Sequence, residues 1–253
     1  MSQTGARKSH SGARVHREVV SFVRRSSRMT SSQRRVWDRY HDRFLIEVTR
    51  GEIDTSVAPT ARLDLSEVFG RAAPLIVEIG PGMGDSLVPM AKARSNANVL
   101  AFEVYQPAVA GLMVKLRAEH VDNVRIVQVN GVDGLEYLVP DSGLDRLWLF
   151  FPDPWPKARH RKRRLVNDDF AGLVARKLRP GGRWRIATDW ADYAGHIRDV
   201  LDEHPAFENP HPGGWAPRWS KRPLTRFEQR GLAAGRHVFD LTYVRRGPGA
   251  ERA

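Results

Sequence analysis

Between Pro74 and His204 five short apolar runs alternate with four stretches of helical periodicity, and this alternation limits the fold more than any other feature. Leu75 to Ile79, Val99 to Phe102, Val124 to Val129, Leu147 to Phe151 and Arg183 to Ala187 read as strands; Ser86 to Ala93, Pro107 to Glu119, Asp168 to Leu178 and Ala191 to His204 read as helices. Strand alternating with helix predicts an α/β fold, doubly wound around a mostly parallel, Rossmann-like sheet with helices on both faces. His237 to Val244 reads as a closing strand after the Pro- and Gly-rich stretch from Pro205 to Pro217.

In such sheets ligands bind at the carboxyl ends of the strands. The first strand runs into Glu78-Ile79-Gly80-Pro81-Gly82-Met83-Gly84-Asp85, three alternating glycines before a helix. A dinucleotide loop would carry Gly or Ala at the position of Asp85, where a carboxylate would face pyrophosphate, and no Gly-Lys-Ser/Thr follows for a nucleoside triphosphate. Glu78 suits a ligand with an ammonium group, and Glu103, ending the second strand, lies at the spacing of an acid that grips ribose hydroxyls. Asn130, after the third strand, offers an amide to adenine. Together these point to S-adenosylmethionine, although each residue alone is as well explained by a turn or a solvated strand end.

The fourth strand ends in Phe150-Phe151-Pro152-Asp153-Pro154-Trp155-Pro156-Lys157. This presents one carboxylate and flat rings at the sheet edge, suited to a planar base with N–H donors. Alternatively, Asp153 bonds its own backbone, Trp155 fills a crevice and Phe151 packs in the core. Arg159, His160, Arg161, Lys162, Arg163 and Arg164 follow, too closely spaced to face one way on a helix, and read as a loop gripping phosphates or as a solvated run.

The partner class comes from charge. The 253 residues hold 41 Lys and Arg against 29 Asp and Glu, a net charge of +12, and the pI of 10.6 is that of a nucleic-acid binder. With no cysteine there is no disulfide, thiolate zinc site or Cys nucleophile, and the nine His fall in no metal-ligand spacing, so no metal is expected. No apolar run is long enough for a membrane span and no secretory signal is evident, so a cytoplasmic, soluble protein is the default. Residues 1–58 read as a basic arm, disordered at first, with a short helix over Gln33 to Ile46; residues 59–246 form the catalytic domain and 247–253 a frayed tail.

In sequence order, Glu78-x-Gly-x-Gly-x-Gly, Phe102-Glu103, Phe150-Phe151-Pro-Asp-Pro-Trp, Ala187-Thr188-Asp189-Trp190 and Arg222-Pro-Leu-Thr-Arg-Phe-Glu-Gln-Arg-Gly231 resemble bacterial tRNA (guanine-N7)-methyltransferases, from about Gln33 to Val244. The resemblance implies a seven-stranded, S-adenosylmethionine-dependent methyltransferase fold that modifies a guanine in the tRNA variable loop. It implies cofactor contacts at Glu78, Gly80, Gly82, Gly84, Glu103, Asn130 and Asp153, with Asp153 also at the reacting base. Substrate contacts fall on Lys157, Asp189, Thr225, Arg226, Phe227 and Glu228, and RNA contacts on 159–164. Asn130 stands where many relatives carry Asp, Pro81 stiffens the glycine loop, and Arg226 replaces the usual Lys. Asp189 as a helix N-cap and Phe151 as core remain competing assignments. A methyltransferase for another RNA or atom, a nicotinamide oxidoreductase and a non-catalytic RNA-binding protein are the rival functions; monomer and homodimer are both open.

Overall fold

Apolar residues at successive positions leave a strand no polar face, so it must be covered on both sides. All five residues of β1 (Leu75–Ile79) and of β2 (Asn98–Phe102) are buried, as parallel strands at the centre of a sheet require. The computed structural model describes residues 29–247 and 249. With β3 (Val124–Val127), β4 (Leu144–Phe150), β5 (Leu178–Thr188), β6 (Phe207–Glu208) and β7 (Phe239–Arg245) these build one seven-stranded sheet of order β3-β2-β1-β4-β5-β7-β6. The first five in that order are parallel, and β7 runs antiparallel to β5 and β6. The chain leaves β1 for β2 on one side and reaches β4 on the other, so the switch point lies between β1 and β4.

Helices cover the two faces separately. Val77, Leu147 and Trp184 meet residues of α5 (Gly131–Leu138), α6 (Asp168–Lys177) and α7 (Ala191–Glu203). Ile76, Val99 and Trp148 meet α1 (Ser31–Phe44), α3 (Leu87–Lys92) and α4 (Gln106–Ala118). A short α2 (Leu65–Phe69) precedes β1, and α8 (Arg226–Ala233) precedes β7.

Two expectations change. Residues 30–58 are not an arm separate from the domain. Thr30 and Gln33 form a reciprocal capping box at the start of α1, and Gln33 Nε2 donates to Pro107 O on α4 (2.9 Å). Phe44 and Val57 are buried in the core, and Val57 N–H donates to Asp133 on α5 (3.1 Å). Burying a Phe or Val side chain contributes roughly 1.5–3 kcal/mol, so residues 30–58 belong to the packed body and a boundary at 58 marks no change in packing. The expected disorder of the first residues, 1–28, lies outside the described residues, as does most of the tail.

The second change is α5, which the sequence does not announce. Gly131 and Gly134 argue against a helix by propensity, yet a Cβ at either would come within 2.4 Å of Ile79 or 2.7 Å of Phe102. These glycines let α5 press directly on β1 and β2, next to the switch point. Among the described residues no helix is long and apolar enough to cross a membrane.

Candidate active site

The carboxyl ends of β1, β2 and β4 converge on a cavity of about 260 Å³ lined in part by Gly80, Glu103, Gly131, Phe151, Asp153 and Trp155. Gly80, Gly82 and Gly84 have φ of 70°, 57° and 76°, left-handed values natural to glycine. A Cβ on Gly80 or Gly82 would meet nothing within 4 Å, so the backbone there faces open space. Glu103 ties the loop down: its two carboxylate oxygens accept from Gly82 N–H (3.0 Å) and Tyr105 N–H (2.9 Å). Burial raises its pKa against these bonds.

Glu78 lies behind the loop, 1% exposed. Ser86 Oγ donates to one carboxylate oxygen (3.3 Å), while the other, Oε2, is buried without a partner. Burial, with a smaller push from Glu103, raises its pKa to about 8. A buried carboxyl with an unused oxygen calls for a donor or a cation. Asp85 forms an ion pair with Lys115 of α4, so the residue that disfavours a dinucleotide has a structural partner.

At the end of β4 the chain turns sharply. Phe151 and Trp155, on either side of Pro152-Asp153-Pro154, have φ of 53° and 45°. Such conformations cost about 1–3 kcal/mol each and persist only where the surroundings impose them. Here Phe151 N–H donates to Ala187 O (2.7 Å), and Arg164 Nε donates to Pro154 O (3.0 Å). The Arg222 guanidinium lies 5.5 Å from the Phe151 ring centroid and Arg163 lies 5.0 Å from that of Trp155. Asp153 lines the cavity wall, and partial desolvation raises its pKa.

A glycine loop, an acid ending β2 and an aromatic-flanked carboxylate ending β4 thus share one cavity. The family model described as "Putative methyltransferase" matches residues 72–241. A tRNA (guanine-N(7)-)-methyltransferase of Cutibacterium acnes is 49% identical, covering 93% of this chain and 86% of its own. One from a Nocardioides species is 46% identical, covering 91% and 89%. The chain belongs to the tRNA (guanine-N(7)-)-methyltransferase family. Among solved structures, the 16S rRNA methyltransferase KamB aligns with a TM-score of 0.52 at 16% identity, covering 72% of this chain and 92% of that one, a likeness of fold.

Seen as a member of the tRNA (guanine-N(7)-)-methyltransferase family, the chain departs from several expected residue roles. Asn130 caps α5: its Oδ1 accepts from Asp133 N–H (2.9 Å) and its Nδ2 donates to Thr55 O (3.2 Å). Those bonds use one lone pair and one N–H of the amide in an N-cap role, and leave it one of each. Residues 158–163 form a short 3₁₀-helix rather than an irregular loop. Arg164, expected on RNA, is 2% exposed and bonded to Asp192 and Pro154; it holds the turn and does not face a phosphate. Arg161 also pairs with Asp192 (3.1 Å), whereas Lys157, Arg159 and Lys162 are exposed without an ion pair among the described residues. His160 packs edge-on against Trp155.

On the far side, Asp189 does not cap α7; it accepts from Arg236 Nε (2.7 Å). Thr225 caps α8, its Oγ1 accepting from Glu228 N–H (3.2 Å). Glu228 is 1% exposed and pairs with Arg222 (2.6 Å) and Arg218 (3.0 Å), while Arg222 reaches Asp240 on β7 (2.9 Å). Thr225 and Glu228 therefore position α8, and Glu228 is buried in doing so. What they position is Phe227, 51% exposed, whose ring packs edge-on against Phe151 (5.1 Å). Arg226 is exposed beside it. Arg218, Arg222, Asp240 and Arg236 were not visible as site-builders; Thr225-x-x-Glu228 is a capping-box pattern that could have revealed the helix. No cluster of three or more metal-ligating side chains occurs among the described residues.

Proposed function

We propose that this protein transfers the methyl group of S-adenosylmethionine to N7 of a guanine in the variable loop of tRNA, in the cytoplasm, giving 7-methylguanosine. The observation that carries this is the single cavity in which Gly80 and Glu103 face Asp153, Phe151 and Trp155. The residues fit the cofactor: the open backbone at Gly80 and Gly82 admits it, Glu103 has lone pairs left for ribose hydroxyls, and the orphaned Glu78 Oε2 answers a cationic group. When bound, it supplies a methyl group on a sulfonium, activated for in-line transfer.

Guanine N7 carries an exposed lone pair in the ring plane, so the protein need not generate a nucleophile. Its task is to hold the base. Asp153 accepts from guanine N1–H and the exocyclic amine, a pairing adenine cannot offer, worth roughly 1–3 kcal/mol in discrimination. Trp155 and Phe151 sandwich or border the ring, Phe151 braced from outside by Phe227. Lys157, Arg159 and Lys162, free of ion pairs among the described residues, lie next to the turn and take backbone phosphates. Positioning alone supplies as much as about 7–11 kcal/mol in favourable cases.

The test is incubation of the purified protein with labelled S-adenosylmethionine and unmodified tRNA transcripts, followed by nucleoside analysis. We expect 7-methylguanosine from the wild type and its loss in Asp153→Ala. A different methylated nucleoside, or no transfer despite cofactor binding, would overturn the reading.

A further inference from the structure

One part of the sheet carries positive charge that the active site does not use. Arg146 on β4 and Arg183 on β5 are register partners, and Arg185, paired with Trp148, faces the same side two residues on. Arg94, from the turn after α3, joins them: its guanidinium lies 5.7 Å from the ring centroid of Trp148 and 5.0 Å from that of Trp219. Arg185 lies 4.3 Å from the same Trp219 ring. Two guanidinium groups, those of Arg94 and Arg185, therefore lie against one indole, and Arg183 lines the cavity beside it.

The neighbouring carboxylates are already engaged. Asp145 pairs with Arg146 (3.0 Å) and with Arg179, and Asp240 pairs with Arg222 (2.9 Å). Among the described residues Arg94, Arg183 and Arg185 form no ion pair. Arg185 has only a long bond to Thr242 Oγ1 (3.4 Å). Burial, then repulsion by Arg183, Arg146 and Arg94, pulls the Arg185 pKa down to about 10, and burial with Arg146 lowers that of Arg94. Like charges held this close destabilise the fold unless an anion sits among them. Beside them is an open cavity of about 420 Å³ lined by Arg183, Arg185, Trp219, Ser220 and Thr242 among others. Arg183 precedes Thr188, the last residue of β5, by five positions, or roughly 16 Å of strand at about 3.3 Å per residue, so this patch is distinct from the 3₁₀-helix beside Asp153.

We propose that Arg94 and Arg185, set against Trp219, and Arg183, which lines the cavity beside them, bind backbone phosphates of the tRNA away from the target guanine. The proposal rests on the tRNA reading above. Guanidinium forks match phosphate oxygens, and cations from two segments along an open surface suit a polyanion better than one enclosed ion. The cluster is a second anchor: it adds affinity and orients the RNA so that one loop reaches the cavity.

The experiment compares wild type with Arg183→Gln and the double variant Arg94→Gln/Arg183→Gln, measuring tRNA affinity over a series of salt concentrations. We expect weaker binding, a log–log salt slope smaller by about 0.7–0.9 for each phosphate no longer neutralised, and a higher KM for tRNA with kcat and S-adenosylmethionine affinity unchanged. Arg183→Lys, which keeps the charge, restores most of the affinity, and the thermal midpoint of Arg183→Gln holds or rises as repulsion is relieved. Unchanged affinity and slope in the double variant would overturn the proposal. So would thermal protection of the wild type, but not the variants, by inorganic phosphate at matched ionic strength with tRNA affinity equal in all, which would mark a small-anion site. Because binding is read without turnover, failure of the wild type to form 7-methylguanosine would strike the reading of the active site, and an unchanged slope would strike this proposal alone.

Discussion

Glu78 concentrates the conflict between burial and charge. Its pKa is raised to about 8 from an ordinary 4.5, chiefly by burial, so between those pH values the folded state keeps a proton that the unfolded chain releases. Stability contributed by this group is full below about pH 4.5 and is lost as pH rises toward 8. A cationic ligand group reverses the preference, because it binds the carboxylate, and affinity should climb over the same range. Glu78→Gln removes the titration. The expected outcome is a thermal midpoint that no longer falls with pH between 5 and 8, and S-adenosylmethionine binding at pH 8 weakened by about tenfold, or 1.4 kcal/mol, with little pH dependence left. Calorimetric titrations and thermal melts at several pH values would check both; a variant with the wild-type pH slope would show that Glu78 is not the group responsible. The polar environment of Glu103 is different in kind: backbone hydrogen bonds from Tyr105, Gly82 and Val104 oppose the effect of its burial, which on the proposed reading suits it to accept from a neutral ribose.

At the level of elements, α8 shows how a helix with little core of its own is fixed. Glu228 and Gly231 are its only buried residues, and its hold comes from the Thr225 cap, the Arg222, Glu228 and Asp240 network, and the Asp189–Arg236 pair beyond its end. Removing one member of a buried ion network leaves a charge without a partner and costs about 3–5 kcal/mol, whereas losing an N-cap costs about 1 kcal/mol. Arg222→Met should therefore destabilise the protein several times more than Thr225→Ala in urea melts, and should also slow methyl transfer by loosening Phe227 against Phe151. Equal effects would mean that the network does not anchor the helix. The capping pattern was legible in the sequence, but the network was not. Arg222 meets Asp240 across 18 residues, and nothing local distinguishes an arginine that will be buried from the solvated ones around it. The same holds for Arg164, which sits in a basic run yet packs under the Pro154 turn because Asp192 on α7 reaches it. Asn130 likewise carries the right chemistry for adenine, and only the arrival of Thr55 and the start of α5 show that its amide also caps a helix.

Across the whole molecule, the parallel sheet and its carboxyl edge were readable because strands buried on both faces are largely apolar, as in β1 and β2. The two-residue β6 is too short to leave a pattern, and α5 is hidden by the glycines that its close packing requires. The cavity wall was readable in its acids and rings, since Glu103, Asp153, Phe151 and Trp155 all reach it. Its supports were not, being made by residues distant in sequence. On the proposed reading the sheet brings a cofactor half and a base half together at the switch point, and the central claim is that Asp153 holds guanine there by its N1–H and amino groups. The most direct test is methylation of tRNA transcripts carrying either guanosine or inosine at the target position, since inosine keeps N7 and N1–H but lacks the exocyclic amine. The account predicts that wild type prefers guanosine by about 5- to 150-fold in kcat/KM, the equivalent of roughly 1–3 kcal/mol, and that Asp153→Asn is slower on guanosine and loses most of that preference. Equal rates on both transcripts with the wild type, or an undiminished preference in Asp153→Asn, would contradict it.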